Sequence, residues 1–402
     1  MESSSPKAIP VEASLDLSDL KRFVLEQIIP NAARWDEKEE FPIDMLKGLH
    51  QMGFITPFVP TELGGMNLSS TDIAWITRLV SYGSSGTSST MIANMLALVP
   101  LLRFGRPEIK KQVAEDILQN LALGSFCFTE PDAGSDILRI KTFAQKVPGG
   151  YVISGKKCFI TNANYARHFV VLAKTDPSSQ NPRGSISMFY VPAGTKGLST
   201  GAPLKKLGQK ESNTSEVYFD QVFIPEQNLI GKEGEGLKYA VMSLERSRTM
   251  LGASAVGVCD RSRDLAQNFL TSREHYGKPL ISQPVIRGQL SQLETEARAA
   301  WLLTCSSCAE WDSGRFELQH SSMAKMFAGQ VALRYTSSAL ELLGGWGYSR
   351  EFEIERLFRA AKLYDIVEGP TFVQQVIIAK ELFPEPKEAS KDTLVNPLKK
   401  AA

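Results

Sequence analysis

The sequence predicts an α+β protein of several domains: an N-terminal α-helical domain, a central β-sandwich or barrel and a C-terminal α-helical bundle. Three observations predict it. Apolar residues recur at three- and four-residue steps in the first and last parts of the chain. Short apolar runs broken by Gly, Pro and Asn fill the middle. At 402 residues the chain is also too long for one ordinary core. The expected boundaries are 15–123, 124–232 and 233–383, between a tail at 1–14 and another at 384–402.

The elements follow in order. Leu17, Leu20, Phe23, Val24 and Ile28 form a helical stripe, and Met45, Leu46, Leu49 and Met52 form another that Gly53 ends. Gly64-Gly65 and the stretch from Gly83 to Gly86 read as loops. Beyond Ser125 the pattern changes to strands: Gly149-Gly150 turns into Tyr151-Val-Ile-Ser, then come Cys158-Phe-Ile-Thr, Phe169-Val-Val-Leu, Ile186-Ser-Met-Phe-Tyr-Val, Val217-Tyr-Phe and Val222-Phe-Ile. Helical spacing returns over 237–259, 284–313 and 323–343, the last stopped by Gly344-Gly345. The tails are rich in Ser, Pro and charge and offer little apolar surface to offset ordering.

Composition excludes several classes. A formal charge of +1 argues against a basic nucleic-acid-binding protein. Five scattered cysteines do not make a disulfide scaffold and suit a reducing compartment. The longest apolar run, 91–102, holds Asn94 and Pro100 and is shorter than the roughly 18 residues a membrane span needs. With no signal core and no organelle address, the expectation is a cytoplasmic chain with no membrane span.

Several kinds of site lack their signature. There is no G-x-G-x-x-G after a strand and no P-loop, and Gly231-Lys-Glu-Gly-Glu-Gly reads as a loop before a helix. The four histidines lie far apart, and Cys305-Ser-Ser-Cys308 stands alone inside a helical pattern, so no metal site is expected. Three segments are harder to explain as packing. In Phe126-Cys-Phe-Thr-Glu-Pro-Asp-Ala-Gly-Ser-Asp136 a turn could aim backbone N–H groups at a ligand, or could be an ordinary loop. In Lys157-Cys-Phe-Ile-Thr-Asn162 an aromatic stands two residues from a hydroxyl on one face of a strand, either a ring-stacking platform or an ordinary half-buried strand. In Tyr364-Asp-Ile-Val-Glu-Gly-Pro-Thr371 an acid lies between Val367 and Gly369-Pro370, where burial would raise its pKa and suit it to act as a base.

Taken together, the segments resemble the acyl-CoA dehydrogenases, which are flavoproteins with this domain order. The resemblance runs from about Leu17 to about Phe383. It rests on Thr129-Glu-Pro-x-Ala-Gly-Ser-Asp136, Phe159-Ile-Thr-Asn162, Arg273-x-x-Tyr-Gly-Lys278, Leu343-Gly-Gly-x-Gly-Tyr348 and Glu368-Gly369. It implies FAD between the β domain and the C-terminal bundle. Phe126, Thr129 and Ser135 would line the flavin and the thioester, Phe159 would lie against the isoalloxazine and Thr161 would bond near flavin N5. Arg273, Gln283, Glu341, Gly344 and Gly345 would hold the pyrophosphate and adenosine of a neighbouring subunit's FAD, which implies a homodimer or homotetramer. Pro370 and Phe372 replace a hydroxyl and an amide, which removes one expected FAD contact, and Thr371 would compensate.

Glu368 matches the catalytic base, removing a proton α to the thioester while a hydride leaves the β carbon for flavin N5. The Glu368 N–H and a flavin hydroxyl would hold the thioester oxygen, with Gly369 in the same segment. Glu245 and Arg248 would contact the pantetheine or the thioester end. Ser247 stands where some relatives carry their base, and Val367 replaces a Tyr. The implied substrate is an acyl-CoA and the implied acceptor an electron-transfer flavoprotein. The alternatives are an acyl group on a carrier protein, an oxidase that hands electrons to oxygen, and a non-catalytic acyl-CoA-binding protein. No cation is obviously placed for a terminal carboxylate on the acyl chain, although Arg103 lies in a helical region.

Overall fold

Helices, then a sheet, then helices again make up the chain in a computed structural model that describes residues 9–176 and 181–383. The first part holds α1 (Ser18–Phe23), α2 (Ile29–Lys38), α3 (Ile43–Gln51), α4 (Ser70–Gly83), α5 (Ser85–Phe104) and α6 (Pro107–Gln119). Ser69 and Ser84 cap α4 and α5, their hydroxyls accepting the N–H groups of Asp72 and Thr87.

Helix α5 corrects one expectation. Its 20 residues are long and apolar enough to cross a membrane, yet 83% of its apolar window is buried inside the protein, so it is a core helix. The two interruptions that shortened the apolar run are both accommodated. Pro100 cannot donate to the carbonyl four residues back, and the Ser243 hydroxyl donates to that Leu96 carbonyl instead, at 2.7 Å. The buried Asn94 amide donates to the Ile55 carbonyl at 3.1 Å and accepts the Gly124 N–H at 2.7 Å.

The middle of the chain is a mixed sheet. Its strands are β1 (Leu123–Cys127), β2 (Phe143–Val147), β3 (Gly150–Thr161), β4 (Ala166–Lys174), β5 (Ile186–Pro192), β6 (Leu198–Thr200), β7 (Thr214–Pro225) and β8 (Leu229–Ile230). The order is β6-β7-β3-β2-β4-β5-β8, with β1 pairing parallel to β4. Alternate residues of β1, β4 and β5 enter two different cores. Cys127, Phe169, Val171 and Phe189 pack within the sheet domain. Phe126, Val170, Leu172 and Met188 pack against the helices. Burial on both faces explains why these strands read as continuous apolar runs.

The last part holds α7 (Gly236–Ser272), a two-stranded hairpin of β9 (Glu274–His275) and β10 (Lys278–Pro279), α8 (Pro284–Asp312), α9 (Leu318–Leu342), α10 (Gly345–Tyr348), α11 (Ile354–Ala361) and α12 (Thr371–Leu382). Helix α7 is the axle, packed against α4, α5, α8 and α9. Close crossing needs small residues: a Cβ at Gly257 would lie 2.2 Å from the Arg78 carbonyl oxygen of α4.

The N-terminal tail is shorter than expected. The Val11 carbonyl accepts from Trp75 Nε1 at 3.1 Å and Trp301 Nε1 at 3.3 Å, and Ser14 bonds the Asp72 carboxylate. Two indoles that each need an acceptor fix a segment whose composition alone suggests looseness. Residues 1–8 and the tail at 384–402 lie outside the described residues.

Candidate functional site

After α11 the chain runs through a 3-10 turn, Lys362–Asp365, and reverses at Glu368 and Gly369. Both residues have positive φ, 53° and 98°. The left-handed region is unfavourable for a glutamate, so neighbours must hold it there. Arg248 Nε donates to the Glu368 carbonyl at 2.9 Å. Gln374 Nε2 donates to the Glu368 carbonyl at 3.0 Å and the Gly369 carbonyl at 2.7 Å. Lys325 Nζ donates to the Gly369 carbonyl at 2.8 Å. A φ of 98° favours glycine at 369, and a Cβ there would also push aside Gln374 Nε2, 2.7 Å away.

The Glu368 side chain is partly buried, and Ser247 Oγ donates to its Oε2 at 2.5 Å. Desolvation raises its pKa to about 7, against the Ser247 hydrogen bond and the charges of Arg248 and Lys325, which favour the carboxylate. Lys325 is itself buried, which lowers it to about 8. The result is a carboxyl group that exchanges a proton near neutrality.

Glu245 lies one turn before Arg248 on α7. It is buried, and burial raises it to about 7, against the Glu317 backbone N–H and the charges of Arg248 and Arg103. Arg248 is buried as well, so the structure brings Glu245, Ser247, Arg248, Glu368 and Gly369 together. Thr371 opens α12 next to them, with Pro370 as its N-cap.

A second group gathers at the end of β3. Phe159 stands on a bulge: Lys157 pairs with Val217 and Ile160 with Ser215, so β3 carries one residue more than β7. Its φ is 56° and the residue is 68% exposed. The bulge, not simple strand alternation, is what sets Phe159 apart from Thr161. Ser125 Oγ donates to the Thr161 carbonyl at 2.8 Å, and the Cys158 N–H to the Thr129 carbonyl at 2.9 Å. These bonds tie Phe159 and Thr161 to β1, Phe126 and the Thr129 turn. Under the turn lies a buried ion pair, Lys157 Nζ to Glu130 Oε1 at 2.8 Å. The same Glu130 carboxylate accepts the N–H groups of Lys141 and Thr142. Ser135 is exposed at the tip of this turn.

A third group lies at the far end of the bundle. Arg273 caps α7 and is exposed, and Gln283 caps α8. Glu341, Gly344 and Gly345 are exposed at the end of α9. Phe352 touches both Phe269 and Trp346, which joins the Arg273 end of α7 to the Gly344 corner. Among the described residues no hydrogen bond or ring contact joins this group to Phe159 or Glu368.

These residues fit a flavin dinucleotide. Phe159 offers an exposed ring face on a fixed bulge. Arg273 is in no ion pair among the described residues and can face a diphosphate. A side chain at Gly344 or Gly345 would meet nothing within 4 Å, which leaves open backbone for an approaching ligand. Lys325 and Gln374 escaped the sequence reading, as did the part Ser247 plays. The signal was present for Lys325, a lone cation between Ala324 and Met326-Phe327 on an apolar face. Nothing in the sequence marks Gln374.

Comparison with known proteins agrees over most of the chain, from residue 16 to residue 383. The acyl-CoA dehydrogenase N-terminal domain matches residues 16–120, the middle domain 125–222 and the C-terminal domain 234–383. Cyclohexane-1-carbonyl-CoA dehydrogenase of Geobacter metallireducens is 34% identical over 93% of this chain and 98% of its own. Butyryl-CoA dehydrogenase from Megasphaera elsdenii superposes with a TM-score of 0.87 at 28% identity, over 92% of this chain and 99% of its own. The prolyl acyl carrier protein oxidase AnaB does so with 0.87 at 26%, over 91% and 97%.

Proposed function

The chain belongs to the acyl-CoA dehydrogenase family, an FAD-dependent oxidoreductase that acts on acyl-CoA, and from that premise we propose the chemistry of its own residues. Glu368 is the base that removes the proton α to the thioester carbonyl. One observation carries this reading: a partly buried carboxylate, pKa about 7, on a left-handed turn fixed by four hydrogen bonds to its own and the next carbonyl. Bound FAD supplies the acceptor for the hydride that leaves the β carbon.

The Glu368 N–H takes no acceptor among the described residues, which leaves it free to donate to the thioester oxygen as enolate character develops. Ser247 steadies the carboxylate before reaction and passes its hydrogen bond to a carboxylic acid oxygen afterwards. Arg248 and Glu245 extend the site toward the pantetheine. Phe126, Thr129, Ser135, Phe159, Thr161 and Thr371 hold the flavin end of FAD, and Arg273, Gln283, Glu341, Gly344 and Gly345 the far end of a neighbouring subunit's FAD. The separation of these two groups within one chain supports a homo-oligomer. The electrons pass on to an electron-transfer flavoprotein. Five free, buried cysteines support work in a reducing cytoplasm.

A second reading keeps the site and changes the handle: the acyl group rides on a carrier protein. The altered Glu368-Gly-Pro-Thr-Phe372 segment and the likeness to a prolyl acyl carrier protein oxidase favour it.

Anaerobic titration of the FAD-loaded protein with cyclohexane-1-carbonyl-CoA, butyryl-CoA and their carrier-protein counterparts tests the proposal. Wild type loses its flavin band with at least one of them. Glu368→Gln keeps its yellow FAD and is not bleached by any. Full bleaching of that variant at the wild-type rate removes Glu368 from the role of base.

A further inference from the structure

Two guanidinium groups pack against one indole ring. Arg103 Cζ lies 5.9 Å from the centre of the Trp311 ring, and Arg246 Cζ lies 5.5 Å from it. Arg103 also stacks on Phe316 at 4.8 Å and Phe104 at 5.6 Å. Phe104 in turn stacks on Tyr239 at 4.3 Å, and Trp311 meets Phe316 edge-on at 4.9 Å, so the cradle is rigid. Neither guanidinium is in an ion pair among the described residues, and each lies within reach of the other's charge. Arg246 also feels the Asp312 carboxylate, which is taken up by the Ser70 N–H and hydroxyl. The Arg246 Nε is buried with no hydrogen-bond partner. A buried Arg246 Nε without a partner, beside a second cation on the same ring, is a combination that an anion would satisfy.

A line of side chains connects this spot to Glu368. Arg248 bonds the Glu368 carbonyl, Glu245 lies one turn earlier on α7, and Glu245 feels the charge of Arg103. The Glu317 N–H that faces Glu245 belongs to the residue after Phe316. The two ends of the line differ in solvation. Toward Glu368 the line is buried, with both Glu245 and Arg248 below the surface. At the other end Arg103 is exposed, which suits a charge too costly to bury.

We propose that Arg103 and Arg246, converging on Trp311, bind the phosphate at the far end of a phosphopantetheine thioester whose acyl end lies at Glu368. The inference rests on the acyl-thioester reading and adds the handle by which the thioester is gripped. Coenzyme A and a carrier protein share this phosphate. A guanidinium donates to it by charge-assisted hydrogen bonds, while the aromatic cradle restricts the side chain in advance.

The test titrates FAD-loaded wild type, Arg103→Ala and Arg103→Lys by calorimetry with CoA, 4′-phosphopantetheine, pantetheine and a phosphopantetheinylated acyl carrier protein. Wild type binds 4′-phosphopantetheine about tenfold more tightly than pantetheine. Arg103→Ala loses that preference and keeps its affinity for pantetheine, and Arg103→Lys retains part of it. The effect reads out on CoA, on the carrier protein or on both, and so names the source of the phosphate. An unchanged preference in Arg103→Ala overturns the proposal, as does an equal loss of pantetheine or a wild type that does not discriminate. The flavin-bleaching assay remains separate: Arg103-dependent binding with no bleaching by any thioester sinks the dehydrogenase mechanism and leaves this phosphate site standing.

Discussion

Glu368 carries two opposing demands. Its proposed role as base rests on a pKa raised from 4.5 to about 7 by desolvation, and the same shift acts on stability. The folded protein binds this proton more tightly than the unfolded chain. The stabilising effect of protonation is therefore fully present below the unfolded value near 4.5 and is lost as pH rises toward about 7. Glu368→Gln removes the ionisation. The variant should gain about 2–3 kcal/mol over wild type at pH 8 and little at pH 4.5, read from chemical denaturation of the FAD-loaded protein. A variant destabilised equally at both values would contradict the assignment of this carboxyl as strained by burial. The sequence exposed Glu368 because an acid between Val367 and Gly369-Pro370 is anomalous by itself. It did not expose Gln374 and Lys325, because their parts depend on carbonyls brought close only by the left-handed turn.

At the scale of elements, the bulge of β3 and the turn after β1 form one unit. Its centre is the Lys157–Glu130 pair at 2.8 Å, with Lys157 fully buried. Lys157 also donates to the Phe128 carbonyl at 3.1 Å, and Glu130 holds the N–H groups of Lys141 and Thr142. Removing one member leaves a buried charge without its partner. Lys157→Met should cost about 3–5 kcal/mol and weaken FAD retention, measured by thermal melting with and without added FAD. Adding Glu130→Gln should recover part of the stability, because the unpaired charge goes with it. No loss in the single variant would show that the pair does not organise the turn. The sequence showed the strands but not this unit, since Glu130 and Lys157 are 27 residues apart and each looks like a surface charge in isolation. It also read α5 as interrupted, because only the fold reveals that Ser243 takes over the carbonyl freed by Pro100.

At the scale of the molecule, the division into helices, sheet and helices was legible from periodicity, and the family from motifs spread along the chain. What periodicity could not show is how the parts lock. The Val11 carbonyl bridges Trp75 of α4 and Trp301 of α8, and the Arg78 guanidinium packs against both indoles, 4.7 and 4.5 Å from their ring centres. Locking matters for the reaction, because Glu368 is presented by the C-terminal bundle and Phe159 and Thr161 by the sheet. In the proposed mechanism the two face one acyl chain from opposite sides.

The most direct test of Glu368 as the base is the rate of anaerobic flavin reduction against pH, with ordinary and α-deuterated cyclohexane-1-carbonyl-CoA or whichever thioester bleaches the enzyme. The account predicts a rate that rises about tenfold per pH unit below a pKa near 7, levels off above it and is slowed by α-deuterium throughout. A rate independent of pH across neutrality, with no α-deuterium effect, would contradict it.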